Sequence, residues 1–175
     1  YGLWDSSVTD RCRRLELLLL TELDATDYLL AALAAAWRRG GGYLAVAALL
    51  WAAAAYAGLA SGPQVVAALA AGLVLWVGYF AVGYWSFARG LQAYGLGSLL
   101  TLGLPLIAWL LHQTVSPLSV HLVPPGLVYG GFTRGPELAW WLSILSYAAA
   151  GIGLLLYTHR HCDRWLRRWY DRNQG

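Results

Sequence analysis

The chain has 175 residues, of which 59% are apolar and 12% charged, with a net charge of +3; soluble domains carry about 25% charged residues. Between Gly40 and Thr133 the one charged side chain is Arg89, so the middle of the chain cannot be solvated as a globular surface and must meet lipid or protein. That excludes an ordinary soluble enzyme, and the length suits a single domain. The expected class is all-α, a polytopic membrane helix bundle.

All twelve basic residues are arginine, and the chain has neither Lys nor Met. A Lys-free composition rich in Ala, Leu, Gly and Arg is what a GC-rich coding sequence produces, and it suggests a bacterial source. A Met-free sequence opening at Tyr1 is expected to be either processed or the C-terminal part of something longer. Residues 1–16 are polar and charged and do not form a cleavable signal peptide. Cys12 and Cys162 stand in two Arg-rich segments without ligand spacing, and both are expected to be reduced thiols.

In chain order, the run Leu15-Glu16-Leu17-Leu18-Leu19-Leu20-Thr21-Glu22-Leu23 is apolar but carries two carboxylates. It reads as a docking segment or a packed helix, and not as a span. Asp24 then stands where a helix N-cap belongs, with Asp27 in the first turn, and Arg38-Arg39 before Gly40-Gly41-Gly42 reads as a C-terminal stop. Leu29, Leu30, Leu33 and Trp37 share one face, so residues 24–39, ending in Arg38 and Arg39, predict an amphipathic helix on the cytoplasmic membrane surface.

Four segments are apolar enough to cross about 30 Å of hydrocarbon as helices. They are Tyr43 to Ala60, Gln64 to about Phe87, Leu91 to Leu111 and Glu137 to Tyr157. The first two form a tight hairpin around Ser61-Gly62-Pro63, and Pro105 should kink the third by removing one backbone bond. Between the last two lies an apolar loop, 112–136, interrupted by Pro117, Pro124, Pro125, Pro136 and several glycines. A long uncharged loop of this kind is expected to dip back into the membrane as a re-entrant segment, shielded by protein. Gly126 and Gly130 within it make a weak close-packing pattern.

Arginine falls almost wholly on one side: Arg11, Arg13, Arg14, Arg38 and Arg39 before the first span, Arg89 between the second and third, and five more after the fourth. Only Arg134 faces the other way. Short Arg-rich loops stay cytosolic, so both ends of this stretch are expected inside, with Tyr43, Trp85, Trp109, Trp140, Trp141 and Tyr157 as interfacial anchors. The organisation expected is a coupling and amphipathic segment (1–42), a transmembrane domain (43–157) and a basic tail (158–175) lying on the anionic inner leaflet.

The charged residues followed by Leu-Glu-Leu-Leu-Leu-Leu-Thr, a short polar turn and an amphipathic helix before a span resemble type-2 ABC (ATP-binding cassette) exporter permeases. Four further spans, an apolar broken segment between the last two and a basic tail continue the resemblance. Arg13-Arg14 and Glu22 stand where that family commonly has a small-residue pair and a Pro. The resemblance implies a permease pair acting on ATPase subunits in trans. Leu15, Glu16, Leu18, Thr21 and Glu22 would meet the ATPase, and the missing upstream part would hold two more spans.

The chain has no Lys and therefore no P-loop of its own. The spans hold no carboxylate or His away from their ends, which argues against an ion-driven carrier and against acid/base catalysis. Tyr56, Tyr79, Tyr84, Gln92, Ser98, Thr101, Ser143 and Ser146 could line a path, but a bond between helices is the default role for each. His159, His161, Cys162 and Asp163 are too poorly spaced for a metal site; no metal, cofactor or nucleic acid is expected. His112 and His121, in the outer loop, have ordinary hydrogen-bonding roles as their default. The function expected is an exporter permease in a bacterial cytoplasmic membrane, working as a homo- or heterodimer. The alternative is a non-transporting scaffold or assembly subunit, with a membrane-embedded enzyme third.

Overall fold

A computed structural model describes residues 24–89, 93–103, 105–107, 110, 123–133 and 137–173. The described residues are helical throughout apart from turns and caps, with no strand among them. The helices are α1 (Ala25–Tyr56), α2 (Gly62–Arg89), α3 (Ala93–Ser98, continued by a π-helical turn, Leu99–Gly103), α4 (Pro124–Thr133) and α5 (Leu138–Asn173). By length and composition, α2 and α5 could each cross a membrane.

α1 begins as expected. The Asp24 carboxylate accepts from the amides of Thr26 (2.8 Å) and Asp27 (2.9 Å), and the Asp27 side chain reaches back to the Asp24 amide. This reciprocal box satisfies donors that the first turn would otherwise leave open. The expected stop at Arg38-Arg39-Gly40 is not there: α1 runs unbroken through all three glycines for 32 residues. A glycine ends a helix by taking positive φ, and the only described glycine that does so is Gly58 (φ 71°). There Leu59 N–H donates to Ala54 O and Gly58 N–H to Ala55 O, a Schellman closure that ends α1 short of the predicted Ala60. Gly62 and Pro63 are thus already in α2, whose start is braced by Gln64 Oε1 accepting from the Ser61 amide (2.8 Å).

α2 and α5 lie side by side in the same direction. Ala67 and Ala71 pack with Trp140 and Ile144, Gly78 meets Gly151, and farther along Tyr84 packs with Cys162. Ala67, Ala68, Ala71, Ala81 and Ala88 of α2 are buried, while Leu69, Leu73, Leu142, Leu145, Ile152 and Leu156 point outward. A Cβ on Gly151 would stand 3.2 Å from the Gly78 Cα, so the two backbones touch. Small residues at the closest approach and large apolar ones left outside suit helices packed in lipid, although Trp140, Tyr84, Phe87, Leu127 and Ile144 are also buried.

One correction concerns the middle of the chain. The outer loop expected over 112–136 contains a helix: Pro124 and Pro125 start α4, where a missing N–H costs nothing, and Gly126, Leu127, Gly130 and Gly131 form its buried face against α2 and α5. α3 passes into the π-helical turn Leu99–Gly103, a wider winding than the α-helix. The basic tail also has no break before it, since α5 carries the apolar span and the Arg-rich residues on one 36-residue helix.

Candidate functional site

Two clusters sit at opposite ends of the bundle. At the hairpin end, α4 wedges between α2 and α5, and its Leu127 packs on Ala67, Ala71, Trp140 and Ile144. The buried Trp140 indole N–H donates to the Leu127 carbonyl at 2.9 Å. A side chain on Gly131 would collide with that indole, at 2.9 Å from Nε1, so the glycine is fixed by the Trp. Gly126 and Gly130, a weak pattern in sequence, are both buried here.

At the Asp24 end, α1 docks on an aromatic column of α2. Trp76, Phe80 and Tyr84 stack at intervals of four residues (6.0 and 6.4 Å between centroids). Tyr28 lies on Tyr84 and Phe87, and Trp37 meets Trp76 edge-on at 5.8 Å. From α5, Cys162, Trp165 and Leu166 complete the cluster. The Arg89 guanidinium rests 4.9 Å from the Trp165 ring centroid, a cation–π contact, and His161 stacks between Tyr157 and Trp165.

The predicted site residues divide accordingly. Leu15, Glu16, Leu18, Thr21 and Glu22 lie outside the described residues, as do Gln92, His112 and His121. Leu29 packs into the Asp24-end cluster, Leu33 is exposed, and Trp37 keeps half its surface exposed while touching Trp76. Arg38 and Arg39 are exposed on α1, inside the helix and not at its end. Of the polar residues, Tyr79 and Thr101 do bridge helices, their hydroxyls 3.0 Å apart. Ser143 and Ser146 instead donate to their own helix at Ala139 and Leu142.

Tyr84 and Thr158 are completely buried, and neither hydroxyl has a hydrogen-bond partner among the described residues. The Tyr84 hydroxyl lies beside the Cys162 thiol without reaching hydrogen-bond geometry. Cys162 is a free, buried thiol. Among the described residues no three His, Cys, Asp or Glu side chains come together to hold a metal ion. His161 is engaged otherwise, its Nδ1–H donating to the Tyr157 carbonyl at 2.8 Å.

The sequence reading missed the aromatic column and the Gly78–Gly151 contact. The column was visible as the four-residue spacing of Trp76, Phe80 and Tyr84; which glycines touch depends on a partner more than seventy residues away. No family model matches the chain, and neither does any curated protein or solved structure.

Proposed function

We propose that this chain is the membrane-embedded permease subunit of an ATP-driven exporter, in a bacterial cytoplasmic membrane, with about four crossings and both ends of the stretch cytosolic. The observation that carries the membrane part is that α2 and α5 are each long and apolar enough to cross a bilayer and leave Leu69, Leu73, Leu142, Leu145, Ile152 and Leu156 outside. The outer re-entrant element is α4: its ten residues reach about 15 Å, half a bilayer, and it packs on α2 one to three turns below the hairpin. The third crossing follows α3 through its π-helical turn. The exporter part rests on the likeness of Leu15 to Leu23 to the ATPase-contacting segment of type-2 ABC permeases, and a pair of chains would act on a pair of ATPases.

In this reading the Asp24-end cluster links the docking segment to the spans. Tyr28 and Leu29, a turn after the cap, are held by α2 and α5 together, so a push on residues 15–23 would be delivered to both helices. Affinity purification from the native host tests it. An ATPase should copurify with the wild-type chain and be lost with Glu16→Arg plus Leu18→Asp; equal recovery from both would overturn the docking role. The closed Gly78–Gly151 seam favours a second reading, a non-transporting assembly subunit. That reading predicts a stable larger complex that retains no nucleotide-dependent change in the exposure of α2 or α5.

A further inference from the structure

α5 does not stop where its apolar stretch does. After Tyr157 it continues as helix over residues 158–173, a further length of about 24 Å at 1.5 Å per residue. One face of this extension is already used. Thr158 and Cys162 are buried, and Trp165 and Leu166 pack on the cluster that holds the start of α1 and the end of α2. At about 100° per residue, Arg160, Arg164, Arg167 and Arg168 fall within an arc of about 100° on the opposite face, and Arg172 continues the row. All five are exposed. The packing of the bundle thus turns them outward as one array about 18 Å long.

The acids of the chain do not balance this array. Residues 158–173 hold five arginines and two aspartates, Asp163 and Asp171. Pairing both within the helix leaves three positive charges over, as many as the net charge of the whole chain, +3. Residues 1–23 carry four acids against three arginines, a net charge of −1. The array cannot be neutralised from within the chain without leaving a surplus of arginine elsewhere.

Lipid answers only part of it. With α5 crossing along its apolar stretch, as proposed above, hydrocarbon ends near Tyr157 and headgroups occupy about the next 5–7 Å. Arg160 lies about 5 Å beyond Tyr157 along the axis and Arg164 about 10 Å, within reach of lipid phosphates. Arg167 and Arg168 lie about 15–17 Å beyond and Arg172 about 22 Å, too far to return along a side chain about 7 Å long. A tail lying flat on the leaflet needs a break after Tyr157, and the helix runs through that point unbroken.

We propose, on the membrane reading of α5, that this arginine face docks an acidic helix of a cytosolic protein partner. Arginines four residues apart stand about 6 Å apart along the axis, the same interval as Glu side chains four apart on a facing helix. Asp171 lies inside the arginine arc. A uniform phosphate backbone meets repulsion there, whereas a protein can set a basic side chain against it and so fix the register.

The test uses the full chain in phosphatidylcholine nanodiscs and a fluorescent helical peptide with Glu at four-residue intervals on an Ala-rich background. A second peptide of the same composition has its Glu residues gathered at one end. The spaced peptide should bind at least about fivefold more tightly than the gathered one, and the difference should shrink as salt rises. Arg164→Gln plus Arg168→Gln should lose the difference, whereas Arg38→Gln plus Arg39→Gln, the same change of charge on α1, should keep it. Arg164→Glu plus Arg168→Glu should transfer the preference to the matching Lys peptide, a gain that misfolding cannot produce. No preference for the spaced peptide in the wild type, or equal loss from both Gln pairs, overturns the docking face. Tighter binding of a single-stranded oligothymidylate of equal charge assigns the face to nucleic acid and overturns the proposal. Release of the peptide when phosphatidylserine is added to the nanodiscs assigns it to the leaflet, with the same consequence. The membrane reading is checked separately, in a background of Cys12→Ala plus Cys162→Ala. Arg172→Cys should react with an impermeant maleimide at least about tenfold faster than Ala149→Cys, as a residue in water does against one in hydrocarbon; equal labelling overturns that reading and not the docking face.

Discussion

α1 and α5 are built from the same two ingredients, an apolar stretch and an Arg-rich stretch on one unbroken helix, yet they place the junction at different heights. On α5 the change comes after Tyr157, near the end of the bundle where Arg89 caps Trp165. On α1 it comes at Arg38-Arg39, level with the middle of α2. The helices also differ in how firmly they are held. α5 is anchored by a fully buried Trp140 and a backbone-to-backbone seam, whereas α1 past Gly41 leaves Tyr43, Leu49 and Tyr56 at 80%, 70% and 97% exposure.

The largest expected effect lies in the anchoring. Trp140→Ala empties a packed site and frees the Leu127 carbonyl, and should destabilise the detergent-solubilised chain by about 3–5 kcal/mol; the half-exposed Trp37→Ala should cost about 1 kcal/mol or less by the same area argument. Equal losses in thermal unfolding would abolish the contrast between the helices. Next comes the charge. In a neutral bilayer Arg38→Leu should improve membrane insertion by about 2–3 kcal/mol, while Arg167→Leu, on the emerging part of α5, should change it little. An insertion assay that finds the two sites alike would put both at the surface.

Smaller effects refine the picture. Gly151→Ala pushes a methyl against Gly78 and should cost about 1–2 kcal/mol, whereas Gly42→Ala, with open space around it, should raise thermal stability slightly. Removing one hydroxyl of the Tyr79–Thr101 bridge by Tyr79→Phe should cost about 0.6 kcal/mol, read as a small shift in melting temperature. The smallest is a pH effect at the start of α1. The hydrogen bond from the Asp27 amide, joined by others from Thr26, holds the Asp24 carboxyl below its ordinary value. A depressed carboxylate stabilises above its unfolded pKa and loses that contribution as pH falls through the folded value. Amide exchange in the first turn of α1 should therefore accelerate in acid, and Asp24→Asn should flatten that dependence.

Local chemistry was legible from residues alone. Asp24 and Asp27 announced a cap because both partners lie within one turn. The reading erred at Gly40-Gly41-Gly42 and at Pro124-Pro125-Gly126, where the same residues serve a break or a helix according to what lies beside them. Trp76 against Gly40, and Trp140 against Gly131, are neighbours that local propensity cannot see.

The scarcity of charge by itself pointed to a middle that avoids water, and with it to the helical class, because apolar backbone has to satisfy its own hydrogen bonds. Which glycines close a seam, where α1 stops and how high its arginines stand were decided only by tertiary packing. Height and contact belong to pairs of helices, and a single strand of sequence holds one member of each pair at a time.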